Sequence, residues 1–361
     1  MEKRGAIFFL FSIFFWSDTF FLSSWTYVNA SLYNISAVFA FGDSTLDTGN
    51  NDNRNTIFKA NHPPYGRDLP GHVPSGRCSN GKIMPDFVVS LLGIKDFLPA
   101  YLDPKVTDLD LITGVSFASA GCGLDSFMGP LYNFTYMSTQ LDYFKECLNR
   151  IKKRFGATNI VENALIIVGA GSVDMFNYYD LHVRGVQYSV SSYHDLLLQN
   201  LDPIVQHLYK MGARKIAISG LPPIGCVPFQ RLLGAILPIP KLPNYGCVDQ
   251  QNYDSQAYNA KLQDLIRKWK ASLPGAKFAY ADIYDPLMNI ILNPNKYGFE
   301  VTNRGCCGTG WVEMGYTCIS TTPICSDASK YLFWDAIHPT QAGNQMIANS
   351  LKETVLPQLI N

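Results

Sequence analysis

Short apolar runs alternate with longer amphipathic stretches along most of this chain, and that alternation limits the folds open to it. The runs that predict strands span residues 37–41, 114–118, 164–170, 215–220 and 277–283. Stretches with apolar residues three and four apart, which predict helices, include residues 139–155, 192–211 and 254–273. Nearly continuous apolar strands separated by helices indicate a parallel sheet buried on both faces. We therefore expect an α/β protein with about five strands in a central parallel sheet.

Composition and charge indicate how many domains the chain forms and which partners are excluded. The chain has 361 residues, 47% of them hydrophobic, which is enough to bury a sizeable core. No repeat, low-complexity tract or long linker divides it after residue 30, so residues 31–361 are expected to form one domain. The formal net charge is zero and no block of like charges occurs. This pattern argues against a nucleic-acid partner, which would need clustered Lys and Arg.

The first 30 residues have a different composition from the remainder. Lys3 and Arg4 precede an apolar run over residues 5–16, and residues 28–30 offer small side chains at a cleavage site. The run is too short to cross a bilayer core of about 30 Å. We expect a signal peptide over residues 1–30, cleaved after Ala30, and hence a secreted, extracellular protein without a transmembrane anchor. An uncleaved anchor is the alternative, favoured by a second apolar burst at residues 20–25.

Cysteines and sequons fit a secreted protein. The chain has nine cysteines, and disulfides persist in oxidising compartments. Four crowd together near the C-terminus and two bracket a proline-rich segment: Cys306, Cys307, Cys318 and Cys325, and Cys226 and Cys247. An odd count leaves at least one thiol unpaired within the chain. Asn34 and Asn133 begin Asn-x-Ser/Thr sequons and are expected to carry glycans.

Polar and glycine-rich segments follow three of the predicted strands. They read GDS at residues 42–44, SAGCG at 119–123 and GSVD at 171–174. Ligands of parallel α/β sheets bind at the carboxyl ends of the strands, so these segments could meet at one edge. Ordinary turn residues are the alternative for each segment. Ser44 could accordingly be a nucleophile or only the cap of a following helix.

A base for Ser44 is available near the C-terminus. A serine hydroxyl needs a base to become a good nucleophile, and the base needs an orienting group. Asp335 and His338 lie three residues apart, and Pro339 suits the first position of a helix. Such a pair is a weak signal by itself. The other histidines are two in Pro/Gly-rich loops, which are weak alternatives, and three in or near predicted helices: His62, His72, His182, His194 and His207.

Five segments, taken together and in order, resemble the plant GDSL esterases/lipases of the SGNH hydrolase superfamily. They are GDSTLDTGNN (42–51), PPYGRDLPGHVPSGRCSNGK (63–82), GVSFASAGCG (114–123), CCGTG (306–310) and FWDAIHPT (333–340). The resemblance covers essentially all of residues 31–361. It implies a flavodoxin-like three-layer α/β/α sandwich. It also implies hydrolysis of a small-molecule, lipid or cell-wall ester, with no metal or organic cofactor.

The resemblance also assigns roles to individual residues. Ser44 becomes the nucleophile of an acyl-serine mechanism, His338 the general base and Asp335 the group that orients it. Capping a following helix is compatible with that role of Ser44, because a helix N-terminus stabilises a developing anion. The backbone N–H groups of Ser44 and Gly121 would form the oxyanion hole, with Gly123 as the alternative to Gly121.

One residue departs from the family's pattern. The third block of the family reads G-[ST]-N-D, and its asparagine amide is an oxyanion donor; here the block is GSVD and Val173 takes that position. Loss of one such donor typically costs on the order of 100- to 1,000-fold in kcat. Two functions stay open: a slow or specialised esterase, assisted by water or Ser172, or a secreted binding protein that keeps the cleft. The intact Ser44, Asp335 and His338 favour the enzyme.

Two cysteines also depart from the family. Cys78 and Cys122 stand where the resembling sequences usually have phenylalanine and a small or polar residue. Both lie in predicted loops near the same edge of the sheet, so we expect a disulfide between them, with Cys147 as the leftover thiol. Two unrelated buried thiols are the alternative.

Overall fold

A computed structural model describes residues 34–156, 159–236 and 245–360. The expected signal peptide and its cleavage site lie outside the described residues. The strands are β1 Val38–Gly42, β2 Leu165–Gly169, β3 Lys215–Ser219, β4 Lys277–Ala281, β5 Val301–Gly305 and β6 Tyr331–Phe333. The α-helices are α1 Met84–Leu91, α2 Asp108–Thr113, α3 Gly129–Tyr132, α4 Met137–Phe155, α5 Ser172–Leu181, α6 Val190–Lys210, α7 Pro228–Ile236, α8 Asp249–Ser272, α9 Tyr284–Leu292, α10 Gln341–Thr354 and α11 Leu356–Ile360. Short 3₁₀ helices include Pro70–His72, Ser126–Met128, Ile224–Cys226, Pro294–Tyr297, Gly315–Thr317 and Ala328–Lys330.

The central sheet contains β1, β2, β3 and β4 in that order, all parallel. Val38 pairs with Leu165, Leu165 with Lys215, and Lys215 with Lys277, so the four strands begin in register. Helices connect each strand to the next, as parallel pairing requires. The expected parallel α/β sheet is confirmed, and α4, α6 and α8 occupy the three amphipathic stretches that predicted helices.

The predicted strand at residues 114–118 differs from the expectation. Its backbone runs along the free edge of β1, where Phe117 N–H donates to Ala40 O (2.8 Å) and Ser119 N–H donates to Gly42 O (2.9 Å). Ser116 makes only a single parallel bridge with Ala40. The outer carbonyls of Ser116 and Ala118 instead accept the side-chain amide of Asn50. The backbone of residues 99–101 also covers this edge, because Ser116 N–H donates to Pro99 O (2.8 Å) and Tyr101 N–H donates to Ser116 O (2.9 Å). The described sheet therefore has four strands where about five were expected.

Alternating side chains of each strand face two separate cores, one on either side of the sheet. Phe39 and Phe41 of β1 point to the face covered by α4, α6 and α8. Val38 and Ala40 point to the opposite face, which packs against α1 and α10. This arrangement forms the expected three-layer α/β/α sandwich. Within the described part of the chain, every helix is too short or too polar to cross a lipid bilayer.

The cysteine pairing corrects one prediction. The disulfides are Cys226–Cys247, Cys306–Cys325 and Cys307–Cys318. Cys78, Cys122 and Cys147 are buried free thiols in the described structure, so the predicted Cys78–Cys122 bond is wrong. The reason is that the two thiols face different interiors. Cys78 packs beside Tyr65 and Trp334, whereas Cys122 lies in the core under β1.

Candidate active site

Ser44 lies in the first connection out of the sheet, two residues after the end of β1. β1 ends at Gly42, whose φ is 143°, and a Cβ built there would lie 1.8 Å from Gly169 O, so only glycine fits. Asp43 N–H then donates to Gly169 O at 3.1 Å, which ties the residue before Ser44 to the end of β2. Ser44 itself is half-buried and begins a turn.

The alternative that Ser44 caps a following helix is wrong, because a turn follows it directly. The next α-helix of the described chain, α1, begins 40 residues after Ser44, at Met84. The Asp43 carboxylate accepts the N–H and hydroxyl of Thr45, and the Asp47 carboxylate accepts the N–H groups of Gly49 and Asn50. These local side-chain bonds stabilise turns in competition with a helix.

The same turn segment holds the second glycine-rich segment in place. Asp47 Oδ2 accepts Ala120 N–H at 2.8 Å, and Asn51 Nδ2 donates to Ala120 O at 2.9 Å. Both backbone groups of Ala120 are therefore fixed from the loop that carries Ser44. Gly121 follows directly, with φ of 87°, and a Cβ there would lie 2.2 Å from the ring of Phe58. The loop that carries Ser44 thus holds the backbone that leads into Gly121.

Asp335 and His338 follow β6 of a separate two-stranded sheet, β5–β6. Asp335 is fully buried, and its Oδ1 accepts the backbone N–H of Ile337 (2.8 Å) and of His338 (2.7 Å). His338 Nδ1 lies 2.8 Å from Asp335 Oδ2, and Nε2 lies 2.8 Å from Ser44 Oγ. The structure therefore brings together all three residues that the resemblance singled out. With the proton on Nδ1 facing the carboxylate, Nε2 can accept the serine hydroxyl.

Charges around the imidazole favour its protonated form. Burial lowers the pKa of His338, but the charge and hydrogen bond of Asp335 and the charge of Asp43 raise it by more, so the pKa lies above the ordinary 6.5. Burial raises the pKa of Asp43, against the lowering effect of its bonds to Thr45 and of His338.

Pro339, which suited the first position of a helix, lies outside the next helix. Thr340 caps α10 by accepting Gly343 N–H.

Tyr65 completes the contacts of the carboxylate and was missed by sequence reasoning. Its hydroxyl donates to Asp335 Oδ2 at 2.8 Å and accepts Gly315 N–H at 2.7 Å. The side chain is only 1% exposed. Burial first, and then the charge of Asp335, raise the pKa of Tyr65 well above its ordinary value, so the hydroxyl keeps its proton. The only sequence signal was its position in the PPYGRD segment, which carries the resemblance but no named role.

Ser44 and His338 open into a cleft of about 450 Å³, a volume typical of small-ligand sites. Its walls are largely apolar and include Phe58, Ile83, Met84, Phe176, Leu287 and Ile347. A smaller polar set, including Asp43, Lys59, Asn177 and Asp180, shares the lining. Gly121 lines this cleft, whereas a Cβ on Gly123 would lie 2.4 Å from an oxygen of Asp174.

Val173 also lines the cleft, from the first turn of α5. The next residue, Asp174, is buried, and its carboxylate accepts the N–H groups of Leu124 and Asp125. These bonds join α5 to the chain that leaves Gly121. Burial raises the pKa of Asp174 to about 7. Val173 thus stands on the same wall as Ser172, and its isopropyl group offers no hydrogen-bond donor there.

Of the other five histidines, His62 packs edge-to-face against Tyr65, with the ring centroids 5.5 Å apart. His194 is buried against Tyr258, and burial above all lowers the pKa of His194 to about 4. The four other than His194 are exposed or half-buried: His62, His72, His182 and His207. Among the described residues no group of three or more His, Cys, Asp and Glu side chains is placed to hold a metal ion.

Sequence comparisons point to one protein family. The pattern of the GDSL-like lipase/acylhydrolase family matches residues 38–351. The GDSL esterase/lipase At2g40250 of Arabidopsis thaliana is 47% identical over 330 residues, which cover 90% of this chain and 91% of the relative. A second Arabidopsis thaliana GDSL esterase/lipase, At2g30220, is 45% identical over 321 residues, which cover 87% of this chain and 88% of the relative. A solved lipase from a goat rumen metagenome, Lip_vut3, covers 88% of this chain and 96% of its own at 12% identity, with a TM-score of 0.37.

The family match over residues 38–351 and the similar esterase/lipases define a class of ester-cleaving enzymes. The chain belongs to the GDSL-like lipase/acylhydrolase family, whose members are carboxylic ester hydrolases. The family assignment made from the five ordered segments is confirmed.

Proposed function

We propose that residues 31–361 form one secreted serine carboxyl-ester hydrolase domain, in which Ser44, His338 and Asp335 are the catalytic residues. The observation that carries this proposal is the chain of contacts from Asp335 Oδ2 through His338 to Ser44 Oγ, with 2.8 Å at each step. Hydrogen-bonded nucleophile, base and orienting acid are what acyl transfer requires.

The reaction would proceed in two acyl-transfer steps. Ser44 Oγ attacks the ester carbonyl carbon while His338 Nε2 takes the hydroxyl proton. The bond to the leaving alcohol then breaks, and the imidazolium gives that proton to the alcohol oxygen. Water attacks the acyl-serine with His338 again as base, which releases the carboxylic acid and restores Ser44. Asp335 stabilises the imidazolium in both steps and holds its ring orientation.

Two backbone donors would stabilise the tetrahedral intermediates. They are the N–H groups of Ser44 and Gly121, both on the wall of the cleft. Val173 supplies no third donor, so turnover is expected to be slower than a three-donor site would give. That residue also favours the second candidate, a binding protein that has largely lost turnover. The complete contact chain from Asp335 to Ser44 supports the enzyme over that candidate.

The cleft favours an ester with an apolar acyl portion. Met84, Leu287 and Ile347 line it from α1, α9 and α10. Lys59, Asn177 and Asp180 add polar groups to the same lining. An aliphatic acyl chain would bury its surface against the first set, while a hydroxylated alcohol would meet the second. Lipid and cell-wall esters both combine an apolar acyl chain with a hydroxylated alcohol. The curated relatives are named esterase/lipase.

Secretion is the second part of the proposal. It is supported by the apolar segment at residues 5–16, the three disulfides, and the exposed position of Asn34 and Asn133. Expressed in plant cells, the protein should appear in the medium with Ser31 as its first residue and with glycans on both asparagines. Secreted material that retains residues before Ala30 on N-terminal sequencing would disprove the cleavage.

Covalent labelling tests the catalytic proposal directly. A fluorophosphonate should modify Ser44, because the probe reacts only with an activated serine. The labelling rate should rise with pH, with a midpoint above 6.5, since His338 is a base only when neutral and its pKa is raised. Mass spectrometry of tryptic peptides locates the adduct, and Ser172 on the same wall serves as the internal comparison. A folded protein that takes no label and hydrolyses no short-chain ester would instead be the binding protein.

A further inference from the structure

One buried hydroxyl links the mouth of the cleft to the aspartate of the catalytic cluster. Tyr65 donates to Asp335 Oδ2, the carboxylate oxygen nearer to His338 Nδ1 (2.8 Å, against 3.0 Å for Oδ1). It accepts in turn from Gly315 N–H. The residues flanking Gly315, Met314 and Tyr316, line the cleft. A segment that can touch substrate is therefore two hydrogen bonds from the carboxylate.

Resting on the proposed function, we propose that Tyr65 is a positioning residue, which sets the charge and orientation of Asp335 and thereby the basicity of His338. The contact geometry fixes the direction of the hydroxyl proton. Because Gly315 N–H fills the acceptor side of the oxygen, the Tyr65 proton must point at Asp335 Oδ2. An ionised carboxylate can only accept, so the pair is matched.

The partners of Asp335 divide into two kinds. Oδ1 accepts two backbone N–H groups, from Ile337 and His338, which anchor that oxygen to its own chain. His338 Nδ1 lies 2.8 Å from Oδ2 and 3.0 Å from Oδ1, and the hydroxyl of Tyr65 donates to Oδ2. The Tyr65 bond therefore draws negative charge away from the carboxylate oxygen nearer to the imidazole. Its strength should tune the pKa of His338.

A disulfide-closed loop supports this contact. Gly315 lies between Cys307 and Cys318, which are bonded to each other. The loop is also joined to the segment that carries Asp335, because Cys307 N–H donates to Trp334 O and Ala336 N–H donates to Glu313 O, both at 2.8 Å. The disulfide thus stabilises the one backbone donor that orients the Tyr65 hydroxyl, which gives this cysteine pair a role in the site as well as in stability.

Few other titratable groups surround the pair. Asp335 and Asp43 are the carboxylates that act on His338, and both favour its charged form. Cys78 faces Asp335 and Tyr65, and burial first, then Asp335, raise the pKa of its thiol, so it stays neutral. The ring of His62 also packs edge-to-face against Tyr65, with the ring centroids 5.5 Å apart. Asp335 and His62 are therefore the titratable neighbours of Tyr65, and both Tyr65→Phe and 3-fluorotyrosine keep the ring that His62 contacts.

The test is the pH dependence of kcat in variants of Tyr65, measured on the full-length mature protein. Tyr65→Phe should lower kcat roughly 10-fold with little change in KM, since orientation is lost but not binding. It should also move the acidic midpoint upward by roughly half a pH unit, because Asp335 keeps more charge. Replacing Tyr65 by 3-fluorotyrosine, a near-isosteric and stronger donor, should move the midpoint downward.

Opposite shifts from these two changes would support the proposal, and an unmoved midpoint in both would overturn it. The midpoint does not depend on the amount of active protein, so partial misfolding of Tyr65→Phe cannot imitate the shift. The fluorinated protein keeps the test decisive if Tyr65→Phe does not fold. Tyr193→Phe is the matched control, because Tyr193 is buried and donates to Asp125 away from the cleft. Absence of fluorophosphonate labelling in the wild type would mark a failure of the proposed function instead.

Discussion

Replacing Ser44 with alanine is expected to lower kcat for ester hydrolysis by roughly 10⁴- to 10⁶-fold and to abolish the acyl-enzyme. The Ser44 hydroxyl lies 2.8 Å from His338 Nε2, the nitrogen proposed to take its proton. His338→Ala should cost about as much, and the double variant little more, because the members of such a triad act as a unit. The measurement is the burst and steady-state rate of a short-chain nitrophenyl ester.

Stability should change little in Ser44→Ala, which makes the loss of activity interpretable. Ser44 is half-buried and lies in a turn whose bonds come from Asp43 and Asp47, not from its own hydroxyl. We expect a change of about 1 kcal/mol or less in the free energy of unfolding. Ser192→Ala, on the exposed side of α6, is the matched control and should keep full activity. Wild-type turnover in Ser44→Ala would place the nucleophile elsewhere.

The sheet was predictable because its signal is local. Strands β1 to β4 are apolar runs that bury both faces of the sheet, and each run is contained within about five consecutive residues. The edge segment at residues 114–118 has the same pattern, yet the side chain of Asn50 accounts for two of its carbonyls. Nothing in the segment itself signals a partner 66 and 68 residues away.

The candidate site shows the same contrast between residues that a short motif reveals and residues that depend on distant contacts. Ser44, Asp335 and His338 were found because short motifs carry them, and their meeting depends on a contact 294 residues apart that only the ordered resemblance implied. Tyr65 is 270 residues from Asp335 and has no chemical signature, so its role needed coordinates. The Cys78–Cys122 prediction failed for a related reason. Two loops near one edge can still turn their side chains into different cores.

Substitution of Val173, on the wall of the cleft, is expected to have the second large effect on kcat. Val173→Asn should add a hydrogen-bond donor to the oxyanion beside the N–H groups of Ser44 and Gly121. Such a donor is worth roughly 2.7 to 4 kcal/mol at best, or on the order of 100- to 1,000-fold in kcat. The gain should appear in kcat with little change in KM, because the ester carbonyl of the ground state needs the donor less than the oxyanion does.

We expect a gain nearer 10-fold, since the surroundings of Val173 are not built to hold an amide. Phe176 beside it on the wall is apolar, while Asn177 lies one helical turn further on and also lines the cleft. Residues four apart on a helix are neighbours, so the Asn177 side chain could fix the new amide in a useful rotamer or draw it away from the oxyanion. The double variant Val173→Asn/Asn177→Ala would separate these two effects.

Val173→Asp is the matched control for the same position. It has nearly the shape of the asparagine variant but no donor when ionised, and its charge would repel the oxyanion, so it should lower kcat. A rise in Val173→Asn with a fall in Val173→Asp would identify hydrogen bonding as the cause. If the wild type already turns over at about 10 s⁻¹ or faster, as ordinary enzymes do, and Val173→Asn leaves that rate unchanged or lower, another group must supply the donor. Ser172, the preceding residue on the wall, is then the group whose loss should be damaging.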